Sequence, residues 1–305
     1  MRLPAVDKGD GPVYRMLIRF ISMVSGMRLP DAARIVMYDR DFYGKPMTAW
    51  TNAAMRGESR WPVGDRELMA ALVAKWNECP FCIDAHGSIA ALELGEPMVT
   101  AVLEDLEQAD IPAGLRATLV FLKKLSLSPD ELSLADAQAV LAEKVTPEAL
   151  EDATAVAVLF GITVRCASAL DFQLLDSADS AKAAARMLKR GYEFGKGKVH
   201  GHADHHRLAG ELRKSILRSS AETDITLRRS IAERIAGGAP LQAPFDELVM
   251  RISLAPYKVT DELIDRTVTE LGNEKAAFEV IVTAAVSAGL YRWDKGCSML
   301  KDVVH

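Results

Sequence analysis

The stretch DRELMAALVAKWNECPFCIDAH (residues 65–86) predicts two consecutive helices joined by a short turn. Its first part reads as an amphipathic helix over 65–77, with Asp65 as the N-cap. Pro80 suits the first position of the next helix, because a proline there gives up no backbone hydrogen bond. If the two helices form an antiparallel hairpin, the turn lies near Asn77 and the two arms run side by side.

Two cysteines lie at the start of the second helix. Cys79 and Cys82 are three residues apart and therefore share one helix face, close enough to form a disulfide with little backbone movement. Unpaired N–H groups and the positive end of the helix dipole favour a thiolate there. His86 follows one turn after Cys82 on the same face. This cluster predicts thiol redox chemistry.

Glu67 lies on the first arm of the hairpin. It is nearly as far from the turn as His86, so we expect the two side chains to lie next to each other. A carboxylate in that position can orient and charge the imidazole, which can draw the proton from Cys82. The order Glu67, His86, Cys82 therefore predicts a proton relay that ends at a nucleophile.

The spacing E-x11-C-x2-C-x3-H resembles the active-site signature of the AhpD-like alkylhydroperoxidases, within the carboxymuconolactone decarboxylase superfamily. The residues that match it without a gap are Glu67, Cys79, Cys82 and His86. The resemblance implies that Cys82 attacks the peroxide and Cys79 resolves it, with no flavin, haem or metal cofactor. Some members carry a second histidine before the attacking cysteine, where this chain has Phe81. Decarboxylases proper generally lack the cysteine pair, so the pair favours redox chemistry.

The function predicted on this basis is a thiol-dependent peroxidase that reduces hydroperoxides and is recycled by an external dithiol or thiol protein. One alternative is a thiol–disulfide oxidoreductase that uses the same cysteines on a protein disulfide. Another is a non-catalytic scaffold that senses redox state or binds zinc. Cys166 and Cys297 lack nearby cysteine partners, and we predict that both are structural, with Cys166 buried in an apolar run.

A second pattern is the histidine-rich stretch VHGHADHH (199–206). It matches the H-x-H-x-D-H string of metallo-β-lactamase-like hydrolases through His200, His202, Asp204, His205 and His206. That fold needs a β-strand before the string and further histidines after it, whereas the flanks here read as helices and only His305 follows. We therefore reject the hydrolase and predict solvated cap or linker histidines, with weak or interface metal binding as the alternative.

Composition excludes several classes of protein. The 305 residues carry a net charge of −5, with 49% apolar and 26% charged residues, and the basic residues are scattered. We therefore expect a globular protein that binds neither nucleic acid nor membrane. No secretory signal is visible, and four cysteines do not make a secreted disulfide framework. The expected compartment is the reducing cytoplasm.

The chain reads as all-α, because helix-forming residues dominate and alternating β-branched runs are scarce. The predicted helices cover 12–25, 30–40, 47–57, 65–77, 80–94, 97–108, 112–126, 134–143, 147–171, 178–195, 203–219, 223–237, 242–254, 260–270 and 274–298.

An internal repeat divides these helices. LSLSP at 125–129 recurs as ISLAP at 252–256, and the same separation along the chain pairs Arg165 with Arg292. Extended back without a gap, this repeat offset places His206 opposite Cys79. We predict an AhpD-like helical fold with two pseudo-repeated units, the second without the active-site motif.

The predicted organisation has three parts. They are an N-terminal helical extension (1–47), a domain with the CxxC site (48–175) and a degenerate repeat (176–305). The extension contains an apolar helix that matches no known motif, and its expected role is either to cap the core or to join subunits. Because such a face needs a partner, and single-unit relatives commonly associate, we expect a homo-oligomer.

Overall fold

The structure is a computed structural model that describes residues 1–9, 12–192 and 201–304. These residues form α-helices and no β-strand, so the all-α prediction is confirmed. The α-helices are α1 (Pro4–Lys8), α2 (Pro12–Ser25), α3 (Asp31–Tyr38), α4 (Lys45–Arg56), α5 (Val63–Trp76), α6 (Pro80–Leu94), α7 (Glu96–Glu104), α8 (Ala113–Leu127), α9 (Leu134–Ala142), α10 (Pro147–Leu170), α11 (Ser177–Arg190), α12 (His205–Arg218), α13 (Ile225–Ile235), α14 (Phe245–Leu254), α15 (Asp261–Leu271) and α16 (Glu274–Val304). A π-helical turn, Arg40–Gly44, leads directly into α4.

The hairpin predicted from the sequence is formed by α5 and α6, which pack closely along each other. Helix α5 begins at Val63 because the carbonyl of Pro62 already accepts a helical hydrogen bond, so the prediction of Asp65 as the N-cap is wrong. Asp65 lies instead in the first turn, where burial raises its pKa above the ordinary value although the charge of Arg66 opposes this. Helix α6 begins at Pro80 with Cys79 as its N-cap, as the sequence predicts.

The centre of the molecule is the pair of long helices α10 and α16, which run antiparallel in contact. A Cβ on Gly289 would lie 2.3 Å from the side chain of Ile162, so this close approach requires glycine. By length and composition α10 passes as a membrane span, but 89% of its most apolar window is buried inside the protein. The burial identifies α10 as a core helix.

The order of elements in α8–α10 recurs in α14–α16 at the repeat offset read from the sequence. Three pairs of elements begin at residues separated by this offset: the 3-10 turns Pro129–Glu131 and Pro256–Lys258, the helices α9 and α15, and the helices α10 and α16. Arg165 donates to the carbonyl of Ser253 in α14, with its Nε at 3.2 Å and its Nη2 at 3.0 Å. Arg292 donates from Nε to the carbonyl of Ser126 in α8 at 2.9 Å. Each arginine thus binds the C-terminal end of a helix in the other half.

A second pair of buried arginines makes similar contacts in α4–α5 and in α12–α13. These two arginines, Arg66 and Arg228, are further apart along the chain than Arg165 and Arg292. Each donates from its side chain to two carbonyl groups at the end of the preceding helix. The contacts are from Arg66 to Ala54 (2.9 Å) and Gly57 (3.0 Å), and from Arg228 to Ile216 (2.6 Å) and Ser219 (2.6 Å).

The change of offset corrects one sequence-based placement. The repeat offset of α8–α10 does not extend back over the hairpin, so His206 is not the counterpart of Cys79. Between α13 and α14 the second half has a short connection, where the first half has α6 and α7. The duplication itself and the three-part division stay predictions, and they rest on this shared order of elements.

The N-terminal segment has two roles in the structure. Helices α1 and α3 cover the core, and Arg2 ties α1 to α10 by donating from Nη1 to the carbonyl of Ser168 at 2.6 Å. Helix α2, in contrast, exposes an apolar face formed by Val13, Met16, Leu17, Phe20, Met23 and Val24.

Candidate functional site

The α5–α6 hairpin brings Glu67 and His86 into direct contact. The Oε2 atom of Glu67 lies 2.8 Å from Nδ1 of His86, and both side chains are buried. Glu67 is interior because α5 is covered on all sides, including the face that carries this carboxylate. The two members of the predicted relay are therefore hydrogen-bonded.

Two further side chains hold Glu67, and sequence reasoning missed both. Arg56, at the end of α4, donates from Nη2 to Oε1 of Glu67 at 2.8 Å. The hydroxyl of Tyr192 donates to both carboxylate oxygens, each at 2.9 Å. The Tyr192 ring is nearly parallel to that of His86, at 16° and 6.3 Å between centroids, and the Arg56 guanidinium lies 5.0 Å above it. Glu67 is thus the centre of a buried network.

The position of Tyr192 depends on a backbone contact that leaves no pattern in the sequence. Its N–H donates to Oδ1 of Asn52 at 3.1 Å. The preceding Gly191 has a φ of +71°, and a Cβ there would lie 2.8 Å from the same Asn52 oxygen. The sequence contains only an indirect indication of Tyr192. A buried carboxylate needs several hydrogen-bond partners, so Glu67 requires partners in addition to His86.

The network fixes the charge states of its members. Burial alone would raise the pKa of Glu67, but hydrogen bonds and charge from His86 and Arg56 outweigh burial and hold that pKa below its ordinary value. Burial, together with the negative charge of Glu67, raises the pKa of Tyr192 well above its ordinary value. Glu67 is therefore a carboxylate and Tyr192 a neutral hydrogen-bond donor across the working pH range.

Both cysteines of the pair are free and buried. A hydrogen bond from the Cys82 thiol lowers the pKa of Cys79 despite burial, and the Cys82 backbone N–H and the Ser168 hydroxyl add to this. The same hydrogen bond, with complete burial, raises the pKa of Cys82 well above its ordinary value. Cys79 is therefore the more acidic thiol of the pair, which is opposite to the order that the family resemblance implies for the attacking thiol.

Within the described part of the chain, the polar and ring contacts of His86 are to Glu67 and to aromatic rings and not to the cysteine pair. Phe160 packs edge-on against His86, with centroids 4.3 Å apart. Among the described residues, His86 makes no hydrogen bond to either cysteine. Cys166 is buried, as predicted, and it lies near Cys82, which the sequence did not predict. Burial raises the pKa of Cys166 to about 12 despite a hydrogen bond with Tyr43. Burial also raises the pKa of Cys297 to about 12.

A cavity of about 900 Å³ adjoins the relay. His86, Phe160 and Tyr192 form one wall, and Phe81, which lies between the two cysteines in the sequence, belongs to the same wall. Other lining residues belong to α2, α3, α4 and α11. The turn that carries the cysteine pair therefore borders a space large enough for a small organic molecule.

The histidine-rich stretch is partly structural. His200 lies outside the described residues. Asp204 caps α12, and the buried His205 lies between Trp50 and Asp152, so the prediction of solvated histidines is wrong for His205. His202 also contacts Asp152, at 2.9 Å. Across the part of the chain that the structure describes, no group of three or more His, Cys, Asp or Glu side chains is placed to hold a metal ion.

Comparisons with known proteins concern the fold. No protein-family model and no curated protein matches the chain. An uncharacterised peroxidase-related protein from Silicibacter sp. TM1040 matches 60% of this chain and 94% of its own, with 22% identity and a TM-score of 0.50. An alkylhydroperoxidase AhpD core protein from Ralstonia eutropha JMP134, also peroxidase-related and uncharacterised, matches 57% of this chain and 90% of its own, with 24% identity and a TM-score of 0.48. The chain has the all-α fold of the AhpD-like, peroxidase-related proteins.

Proposed function

We propose that this protein is a thiol-dependent peroxidase that reduces organic hydroperoxides through Cys79 and Cys82. The observation that carries the proposal is the pair of free, buried thiols at the start of α6, the helix that also carries His86 in contact with the buried Glu67. Two thiols that lie one helical turn apart, one of them with a lowered pKa, can attack a peroxide and resolve the product in turn.

The reaction begins with transfer of the Cys82 proton along the hydrogen bond to Cys79. The Cys82 thiolate then attacks one peroxide oxygen, so that an S–O bond forms as the O–O bond breaks. The leaving alkoxide takes the proton from Cys79 and departs as the alcohol. The Cys79 thiolate attacks the sulfenic sulfur, so that the S–S bond forms as the S–O bond breaks. The hydroxide released takes a proton that His86 passes on from a solvent acid, and it leaves as water.

Glu67 and His86 have the role of positioning and proton supply. Glu67 stays ionised and orients the imidazole through the hydrogen bond at Nδ1 of His86. An external dithiol completes the cycle by attacking Cys79, which is 3% exposed, whereas Cys82 is completely buried. The cytoplasm, where such reductants are kept reduced, is the compartment proposed.

The test is stopped-flow oxidation of the reduced protein by hydrogen peroxide and by tert-butyl hydroperoxide, with thiols counted before and after. The expected result is loss of two thiols for each peroxide consumed. If only a protein disulfide oxidises the pair, the protein is a thiol–disulfide oxidoreductase. If neither does so and zinc copurifies, the pair belongs to a scaffold.

We also propose that the protein forms a homo-oligomer through the exposed apolar face of α2. Six large apolar side chains on one helix are more than a monomer usually leaves in water. Light scattering at micromolar concentration is expected to show an oligomer, and the double variant Phe20→Ser/Met23→Ser to shift it toward the monomer. A monomeric wild-type protein would contradict this.

A further inference from the structure

We propose that the cavity beside His86 binds the acyl chain of a carboxylate-bearing ligand, with Arg186 and Arg190 as the carboxylate site. Under the proposed function, on which this substrate assignment rests, the substrate is a medium- or long-chain acid hydroperoxide. The inference concerns the occupant of the cavity, so its binding part can be tested without any redox reaction.

The walls of the cavity are mostly apolar. Met27, Leu29 and Ile35 line one side, and Phe81 and Phe160 line the side near the cysteine pair. A volume of about 900 Å³ lies near the upper end of the range for sites that bind small molecules. Such a surface gains most by burying a flexible hydrocarbon chain.

The rim of the cavity is cationic. Arg186 and Arg190 are exposed, line the cavity, and lie one turn apart on the same face of α11. Neither forms an ion pair with a carboxylate of the described residues. Asp84, the acid on the wall, accepts a hydrogen bond from Ser180 at 2.6 Å. Two guanidinium groups that have no ion pair within residues 1–9, 12–192 and 201–304, and that lie at the mouth of an apolar cavity, fit a carboxylate followed by a hydrocarbon chain.

The arrangement also orders the ligand. A carboxylate bound at α11 directs the chain inward toward His86 and Phe81. A hydroperoxide group along that chain then lies by the turn that carries Cys79 and Cys82. A small hydroperoxide without a carboxylate gains nothing from the rim, so the two kinds of substrate should respond differently to removal of the arginines.

The binding test compares decanoate with 1-decanol by calorimetry, using the reduced full chain and no peroxide. The double variant Arg186→Gln/Arg190→Gln should weaken decanoate binding about tenfold and leave 1-decanol unchanged. The matched control, Lys182→Gln/Lys189→Gln, removes the same charge from the same helix away from the cavity. It should change decanoate binding by less than about twofold. Equal effects of the two double variants, or equal binding of acid and alcohol, would overturn the proposal.

The location of the ligand is tested by 13C-methyl labelling of methionine. Met27, Met47 and Met187 line the cavity, whereas Met16 and Met23 lie on the exposed face of α2. Decanoate should shift the first three methyl signals and leave those of α2 in place. Shifts confined to α2 would overturn the assignment, because the acid would then bind the apolar helix face. From octanoate to decanoate, affinity should rise about fourfold per methylene.

A kinetic arm separates this inference from the proposed function. A linoleic acid hydroperoxide should oxidise the pair at lower concentration than tert-butyl hydroperoxide does, and the arginine double variant should raise the concentration needed for the acid alone. If neither hydroperoxide oxidises the pair while decanoate still binds, the function fails and the ligand site stands. If both oxidise it and the double variant slows them equally, the carboxylate site is wrong.

Discussion

The two halves of the molecule share a scaffold and differ in what the scaffold carries. Each half has a buried carboxylate on its central helix at the same repeat offset, Asp152 in α10 and Glu279 in α16. Glu279 binds the segment before α13, accepting from the N–H of Thr223 at 2.7 Å. Asp152 binds Ser59 before α5 and also the histidines near α12. These contacts hold helices together in both halves without any redox residue.

The difference lies in the hairpin. The first half continues from α5 into α6 and α7, whereas the second passes directly from α13 to α14. In the register that pairs Arg66 with Arg228, Arg229 occupies the position of Glu67. The comparison teaches that helix packing in this fold does not depend on the site, and that the site resides in one helix and its contacts. The predictions below test this separation.

The largest effect on stability is expected at the buried arginines that join the halves. Arg165→Met removes the two donors closest to the Ser253 carbonyl, and Arg292→Met removes the donor to the Ser126 carbonyl, so each should lower the free energy of unfolding by about 3 kcal/mol. The measurement is denaturant unfolding. The two values should agree within about 1 kcal/mol if the contacts are equivalent. A loss at one arginine and none at the other would break the equivalence.

The next largest effect separates the two halves by activity. Glu67→Gln and His86→Ala should each slow oxidation of the pair by at least about tenfold, since they remove a member of the relay. Glu279→Gln removes a carboxylate that is equally buried, but in the second half. It should lower stability and leave the oxidation rate of the folded protein unchanged. The measurement is the stopped-flow rate of oxidation of the cysteine pair in all three variants. Slow oxidation of Glu279→Gln would contradict the claim that the rate depends on the first half alone.

A smaller effect is expected at Tyr192. Tyr192→Phe keeps the ring beside His86 and Arg56 but removes the hydroxyl that donates to Glu67. One hydrogen bond to a carboxylate at about 1 kcal/mol corresponds to a roughly fivefold slower oxidation. Tyr257→Phe, at an exposed position in the second half, is the control and should have no effect. Equal rates for Tyr192→Phe and wild type would exclude the hydroxyl from the relay.

The sequence predicts contacts between residues that are close together along the chain, and it does not predict contacts between distant residues. The hairpin could be predicted because its signals are local: the helical spacing of apolar residues, and Pro80 after Cys79 as the start of a helix. The Glu67–His86 contact could be predicted because the two residues are nearly equally far along the chain from the turn between α5 and α6. Tyr192 could not be predicted, because it meets Glu67 from a distant part of the chain, through a turn fixed by Asn52.

The repeat shows the same limit. Its offset can be recognised where the two similar segments keep the same length, as between 125–129 and 252–256. It fails at the hairpin, where one half lacks two helices, because a gap leaves no local signal in a single sequence. The order of acidity in the cysteine pair was also beyond the sequence, since it depends on which thiol donates to the other.

The smallest effect concerns pH. The folded pKa of Glu67 lies below its ordinary value of 4.5, so its ionised form contributes stability that is fully present above pH 4.5. That contribution is lost as the pH falls through the folded pKa. The difference in unfolding free energy between wild type and Glu67→Gln should therefore be constant above pH 4.5 and shrink below it. A difference that grows on acidification would contradict the sign of the shift.

The central claim is that peroxide reduction resides in the cysteine pair of the first half, and single-turnover oxidation of cysteine variants tests it most directly. Cys297→Ser, in the second half, should behave as wild type and lose two thiols per peroxide. Cys82→Ser should be inert, and Cys79→Ser should consume one equivalent and stop at the sulfenic acid. Reactive Cys82→Ser with inert Cys79→Ser would transfer the attack to Cys79, the more acidic thiol of the resting pair. Undiminished turnover in both variants would contradict the account.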